Sequence, residues 1–210
     1  MTTESFSLQV DSRPTQDDGN MADQFAIALA DQIDCALLVC DSDSRLLHAN
    51  LAGHRVIASC TVLAMVGDRI QCTSPSQQEW CKAVHNAAVN HRCRLFWIGK
   101  SGERTMVIAM PIVIKRLRIS TAVMMLSRRS VCSKLGVELL ATLHELTFAE
   151  RRVFTALLNN ASPRKIAATH GVTIATIRMQ IQAIRNKLGV RSIDALLLRA
   201  AEVPPVTSRH

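Results

Sequence analysis

Between Thr147 and the end of the chain, helix-starting and helix-stopping residues recur so regularly that only a bundle of short helices satisfies them. Thr147-Phe148-Ala149-Glu150 has the form of a capping box, in which the Thr hydroxyl accepts from the N3 amide and the Glu side chain reaches back to the cap. Val153, Ala156 and Leu157 then share one face of a first helix, and Asn159-Asn160 ends it, because Asn tolerates the left-handed conformation of a helix C-terminus. Ser162-Pro163 opens a second helix with a cap and a proline at the first helical position, and Gly171 closes it. Thr173 caps a third helix that Gly189 ends. Ser192 caps a fourth with Ile193, Leu196, Leu197 and Ala200 turned inward.

The third helix has two distinct faces. Ile177, Ile181, Ile184 and Leu188 recur at helical spacing and predict a buried side. Arg178, Gln182 and Arg185 recur on the opposite side, with Met179 and Asn186 beside them. Such a helix suits the major groove of DNA, where Arg grips guanine edges or phosphates and Gln reads adenine. Charge agrees with this. From residue 144 onward ten Lys and Arg face four acids, a net +6, whereas the preceding residues hold fifteen against thirteen. A basic excess gathered in the last third of the chain suits an anionic polymer.

The segment resembles the C-terminal DNA-binding domain of LuxR-family bacterial regulators. Leu146-Thr147-Phe148-Ala149-Glu150, Ser162-Pro163-Arg164-Lys165-Ile166-Ala167, Thr176-Ile177-Arg178 and Lys187-Leu188-Gly189-Val190 fall in one ungapped register over about residues 146–203. The resemblance implies a helix-turn-helix whose recognition helix, residues 174–188, carries Arg178, Met179 and Gln182 at base-facing positions, with Arg185 on the same face. It implies phosphate contacts for Arg164, Thr176 and Lys187. Four positions depart from the family pattern: Lys165 for Glu, Gln180 for His, His170 for Leu and Asn160 for Gly. Lys165 and Gln180 lie near the implied DNA surface, and Lys165 adds a further candidate DNA contact.

The first two thirds of the chain read differently. Residues 1–20 carry no apolar periodicity and predict a loose tail, with order beginning near Met21 and a short helical stripe at Phe25, Ala28, Leu29, Gln32 and Ile33. An apolar run at 35–40, a turn of Asp and Ser, and a second run at 45–48 predict two strands. Asn50 then caps a helix through Ala52, Val56 and Ile57. A second helix fits residues 77–90, where Trp80, Val84, Ala87 and Ala88 share a face. Residues 92–98, 104–114 and 119–126 predict strands, joined by the turn Gly99-Lys100-Ser101-Gly102 and a basic corner at 115–118. This order resembles a PAS-like sensor domain. Residues 131–145 predict a linker helix with a stripe at Cys132, Leu135, Leu139 and Leu143, open to docking within the chain or pairing with a second chain.

The expected fold class is therefore α+β. A PAS-like mixed α/β domain occupies 21–128, a linker helix 129–145, and an all-α four-helix helix-turn-helix domain 146–203, with a tail at 204–210. The expected partners are double-stranded DNA, a second copy of the chain, a small molecule in the N-terminal domain, and RNA polymerase. The longest apolar run, residues 106–114, is interrupted by Pro111 and far short of the ~20 residues a bilayer needs, so no membrane contact and a cytoplasmic location are expected. Seven cysteines without a Cys-x-x-Cys pair read as buried reduced thiols. Cys81, His85, His91 and Cys93 lie close in sequence but form no ligand motif, and no cofactor or metal is expected. No phosphate loop or nucleophile elbow occurs, and no enzyme activity is expected. The rival class is a protein-interaction module whose basic helices dock acidic partners.

Overall fold

In the computed structural model, residues 16–59, 61–72, 75–100, 104–113, 119–128 and 130–206 are described. The N-terminal unit runs α1 (Gln16–Gln32), β1 (Ala36–Asp41), β2 (Leu46–Ala49), α2 (Leu51–Ser59), β3 (Leu63–Val66), β4 (Arg69–Cys72), α3 (Gln77–Asn90), β5 (Arg94–Ile98), β6 (Thr105–Ile112) and β7 (Thr121–Leu126). Five antiparallel strands form a sheet in the order β2-β1-β7-β6-β5, and β3 and β4 form a separate hairpin. This is the mixed α/β architecture the sequence leads one to expect. Alternation decides which face is covered: Leu38, Cys40, Val107 and Met124 point inward and are fully buried. Trp80, Val84, Ala87 and Ala88 of α3 cover them from the helical side.

Asn50 does more than cap α2. Its Oδ1 accepts from Gly53 N at 2.8 Å and from Leu37 N at 2.9 Å, while Nδ2 donates to the carbonyls of Ala30 and Cys35, both at 2.9 Å. One fully buried amide thus joins the end of α1, the entry to β1 and the start of α2. Gly53 permits the close approach, since a Cβ there would lie 2.8 Å from the Leu37 carbonyl oxygen.

Several expectations are adjusted. α1 begins at Gln16, inside the stretch expected to be a loose tail, and residues 1–15 lie outside the described residues. Ser101, Gly102 and the basic corner at 115–118 also lie outside them. The β3–β4 hairpin was not foreseen; Gly67, at φ +63°, makes its turn. Cys40, Cys72 and Cys132 are buried as expected, but Cys81 on α3 and Cys93 in the loop between α3 and β5 are exposed. Burial pushes the Cys40 and Cys72 thiols up to about 12. Among the described residues no group of three or more His, Cys, Asp and Glu is placed to hold a metal ion, and no helix is long and apolar enough to cross a membrane.

The C-terminal unit contains α4 (Lys134–Leu143), α5 (Phe148–Leu158), α6 (Pro163–His170), α7 (Ile174–Leu188) and α8 (Ile193–Ala201). Val153, Phe154, Ile166, Ile177, Ile184 and Leu196 form its centre. The expected linker-helix stripe is corrected. Leu139 and Leu143 are 53% and 74% exposed, and the helix instead buries Gly136, Val137, Leu140 and Ala141. Val137 and Leu140 join the core of the helical unit, so α4 docks within its own chain through a face one position round from the expected one. The residues after α8 also make contact: Asp34 N donates to Pro205 O at 2.8 Å, and Ile33 bridges Val206.

Candidate nucleic-acid interface

The interface is built on caps the sequence specifies. Thr147 and Glu150 form the reciprocal capping box, with Glu150 Oε2 accepting from Thr147 N at 2.7 Å. Ser162, Thr173 and Ser192 each accept from the third amide of the helix that follows. The helix ends are equally uniform. Asn160, Gly171 and Gly189 have φ of +60°, +66° and +68°, and the residue after each donates back to the helix: Ala161 to Ala156, Val172 to Ala167, Val190 to Arg185. Asn160 therefore serves the left-handed position where the family pattern has Gly. α4 closes in the same way, with Glu145 at φ +50° and Leu146 N donating to Ala141 O.

These stops fix how α7 is presented. Ile177, Ile181, Ile184 and Leu188 are buried against α5, α6 and α8. The opposite side carries Arg178, Met179 and Gln182 in solvent, with Met179 73% exposed. Met179 stands apart from the four large aliphatic residues that α7 buries, and packing does not explain its exposure. Arg164 and Lys165 are exposed in the first turn of α6, and like Arg178 they take part in no ion pair among the described residues. Thr176 is half-buried, with its hydroxyl 2.9 Å from that of Thr173.

Three expected site residues have partners within the chain. Gln182 Nε2 donates to Asn186 Oδ1 at 2.8 Å, and Arg185 Nη1 donates to Gln182 Oε1 at 3.2 Å, so a run of three polar side chains lies along the helix. Arg185 is half-buried, with its Nε buried and unpaired among the described residues. Lys187, expected as a phosphate contact, has partners within the bundle. Its Nζ donates to Glu150 Oε2 at 2.7 Å and to Glu145 O at 2.9 Å, which turns the ammonium into the bundle. Burial alone would push the Glu150 carboxyl up, but Lys187 and the Thr147 amide outweigh it and hold the carboxyl below its ordinary value.

A cleft of about 1020 Å³ lies between the two units, lined by Arg55, Val56, Thr105, Arg128, Leu135 and Thr155 among others. Arg128 Nη1 sits in it 3.7 Å from Asp34 Oδ2, with no hydrogen-bond acceptor among the described residues.

No protein-family model matches the chain, and no curated protein does. Among solved structures, the phage VqmA–DPO complex is similar at 16% identity, covering 89% of this chain and 93% of that one with a TM-score of 0.39. The Vibrio cholerae VqmA dimer without target DNA, described as a LuxR-type receptor, is similar at 18% identity, covering 82% and 84% with a TM-score of 0.37. A PAS domain from Colwellia psychrerythraea is similar at 14% identity over 51% of this chain and 95% of that one, with a TM-score of 0.37.

Proposed function

We propose that the protein is a transcriptional regulator that binds double-stranded DNA in a sequence-specific way, as a dimer, with each α7 in a major groove. One observation carries this: the exposed row of Arg178, Met179 and Gln182 on α7, directly opposite its buried aliphatic face. Arg178 and Gln182 supply donors and acceptors for base edges, and Met179 supplies an apolar contact of the kind a thymine methyl accepts. Arg164 and Lys165, on the helix before, are charges for the phosphates that set register without reading sequence. Lys187 acts through position: it ties the C-terminal end of α7 to the start of α5.

In a dimer the two recognition helices read half-sites about 10 base pairs apart, one turn of the duplex. The N-terminal unit biases how the two readers are presented, and a small molecule bearing an acceptor oxygen is the proposed signal. The inter-unit cleft and the Arg128 nitrogen without an acceptor support that assignment. Recruitment of RNA polymerase belongs to the same proposal.

The test is recovery of sheared genomic DNA by the purified chain near physiological salt, followed by sequencing. A few enriched sites sharing a dyad motif support the reading. Uniform recovery, with log affinity flat against log salt, favours the rival reading of a helical module that docks acidic proteins.

A further inference from the structure

The cleft between the two units gathers positive charge from three places in the chain. Arg55 stands on α2, Arg128 on the joint after β7, and Lys134 in the first turn of α4. Two carboxylates share the lining. Glu138 forms an ion pair with Arg151 of α5, which answers its charge. Asp34 lies 3.7 Å from Arg128 Nη1, beyond hydrogen-bond reach, while Arg128 Nη2 donates to Val131 O at 3.3 Å. The Arg128 side chain is 23% exposed, so its charge acts largely through protein and is weakly screened. A cleft lined by an excess of one sign concentrates that field.

Between the charges the same walls are apolar. Val56 comes from the N-terminal unit and Leu135 from the helical unit, and both are half-buried. At about 1020 Å³ the space suits a metabolite rather than a single inorganic ion. Arg128 supplies the deeper field, and Arg55 and Lys134, both exposed, supply long side chains that can reach a bound group. A negatively charged head meets these cations while a short hydrocarbon body covers Val56 and Leu135.

We propose that the cleft binds a small organic anion, a carboxylate or phosphate monoester on a short apolar body, and that this anion bridges the two units. The inference rests on the small-molecule signal proposed above and gives it a charge and a shape. A ligand that touches both units stabilises the arrangement in which they stand together, so its concentration sets how firmly α7 is held relative to the N-terminal unit. The coupling is reciprocal: whatever factor the anion imposes on DNA affinity, DNA imposes on anion affinity.

The test is calorimetric titration of the full chain, without DNA, with hexanoate, hexyl phosphate and the neutral 1-hexanol. Saturable binding of one hexanoate or one hexyl phosphate per chain is expected, with hexanol about tenfold weaker or more. Preference between the two anions assigns the head group. Arg55→Gln and Lys134→Gln place one change on each unit, and each is expected to weaken binding about threefold or more. Both sites are exposed, so thermal melts of the two variants stay at the wild-type position. Arg128 is left in place because it also holds Val131 and Asp34. Hexanol binding as tightly as the anions, no saturable binding of either anion, or weakening confined to the variant of one unit each overturns the bridge. A chain that binds an anion but enriches no DNA sites overturns the regulator reading and leaves the cleft site standing; a DNA-binding chain that takes neither anion does the reverse.

Discussion

Lys187 Nζ lies 2.7 Å from Glu150 Oε2 and 2.9 Å from the carbonyl of Glu145, so one ammonium joins the end of α4, the start of α5 and the last turn of α7. Glu150 is 8% exposed and already bonded to the Thr147 amide, which leaves the pair little freedom to part. α7 is held at its C-terminal end by this staple, while Arg178, Met179 and Gln182 nearer its start remain exposed.

Glu150→Gln keeps the shape of the cap but removes the charge that Lys187 answers. It is expected to lower the stability of the helical unit by about 1–3 kcal/mol. A carboxyl held below its unfolded value, ordinarily 4.5, contributes fully above that value and loses its contribution as pH falls through the folded value. Urea melts of wild type and variant should therefore differ most at neutral pH and converge in acid. A gap that persists in acid would mean that packing, not charge, is at stake.

Arg178→Ala and Gln182→Ala should each weaken binding to a selected site by about 1–3 kcal/mol and relax preference at a single base position. Arg164→Ala and Lys165→Ala should weaken binding to all duplexes alike and reduce the salt slope by about one each. Footprints and salt titrations on the same duplex separate the two behaviours. Melting temperatures should not move, since all four side chains are exposed.

Glu145 occupies a left-handed position at φ +50°, where glycine carries no steric cost. Glu145→Gly is expected to stabilise the helical unit by about 0.5–1 kcal/mol while leaving the carbonyl that Lys187 grips in place. Asn160→Val, at φ +60°, is expected to cost about 1–2 kcal/mol. Thermal melts of the two variants should thus move in opposite directions.

The helical unit was legible because each of its boundaries is written in local chemistry. Thr147, Ser162, Thr173 and Ser192 all cap, and Asn160, Gly171 and Gly189 all take the left-handed turn. The N-terminal strands were legible from alternation. The β3–β4 hairpin was missed although Gly67-Asp68 separates two short runs, since four-residue strands offer little periodicity to detect. The face of α4 was misread because Leu, by composition, points to the stripe of Leu135, Leu139 and Leu143, while Gly136 and Ala141 give the close approach that packing uses. A Cβ at Gly136 would lie 2.5 Å from Cys132 Sγ, a constraint no spacing rule contains. The ion pair of Lys187 joins residues 37 apart in sequence, and its geometry depends on the finished bundle.

Asn50→Ala removes an amide that satisfies Ala30, Leu37, Cys35 and Gly53 at once. The expected loss is about 2–4 kcal/mol, because several buried backbone groups are left without partners. Asn50→Asp should fare little better, since a carboxylate accepts but cannot donate to the two carbonyls. Denaturant midpoints of both variants against wild type decide it.

The hydrogen bond from Asp34 N to Pro205 O gives the two units a second attachment, far in sequence from the covalent joint at residues 127–133. The two attachments lie side by side in space, since Arg128 of the joint sits 3.7 Å from Asp34, and together they form one clasp. Any reorientation of the helical unit has to break the bonds of Pro205 and Val206 to the residues just before β1 as well as flex the joint, so two residues beyond α8 hold one unit against the other.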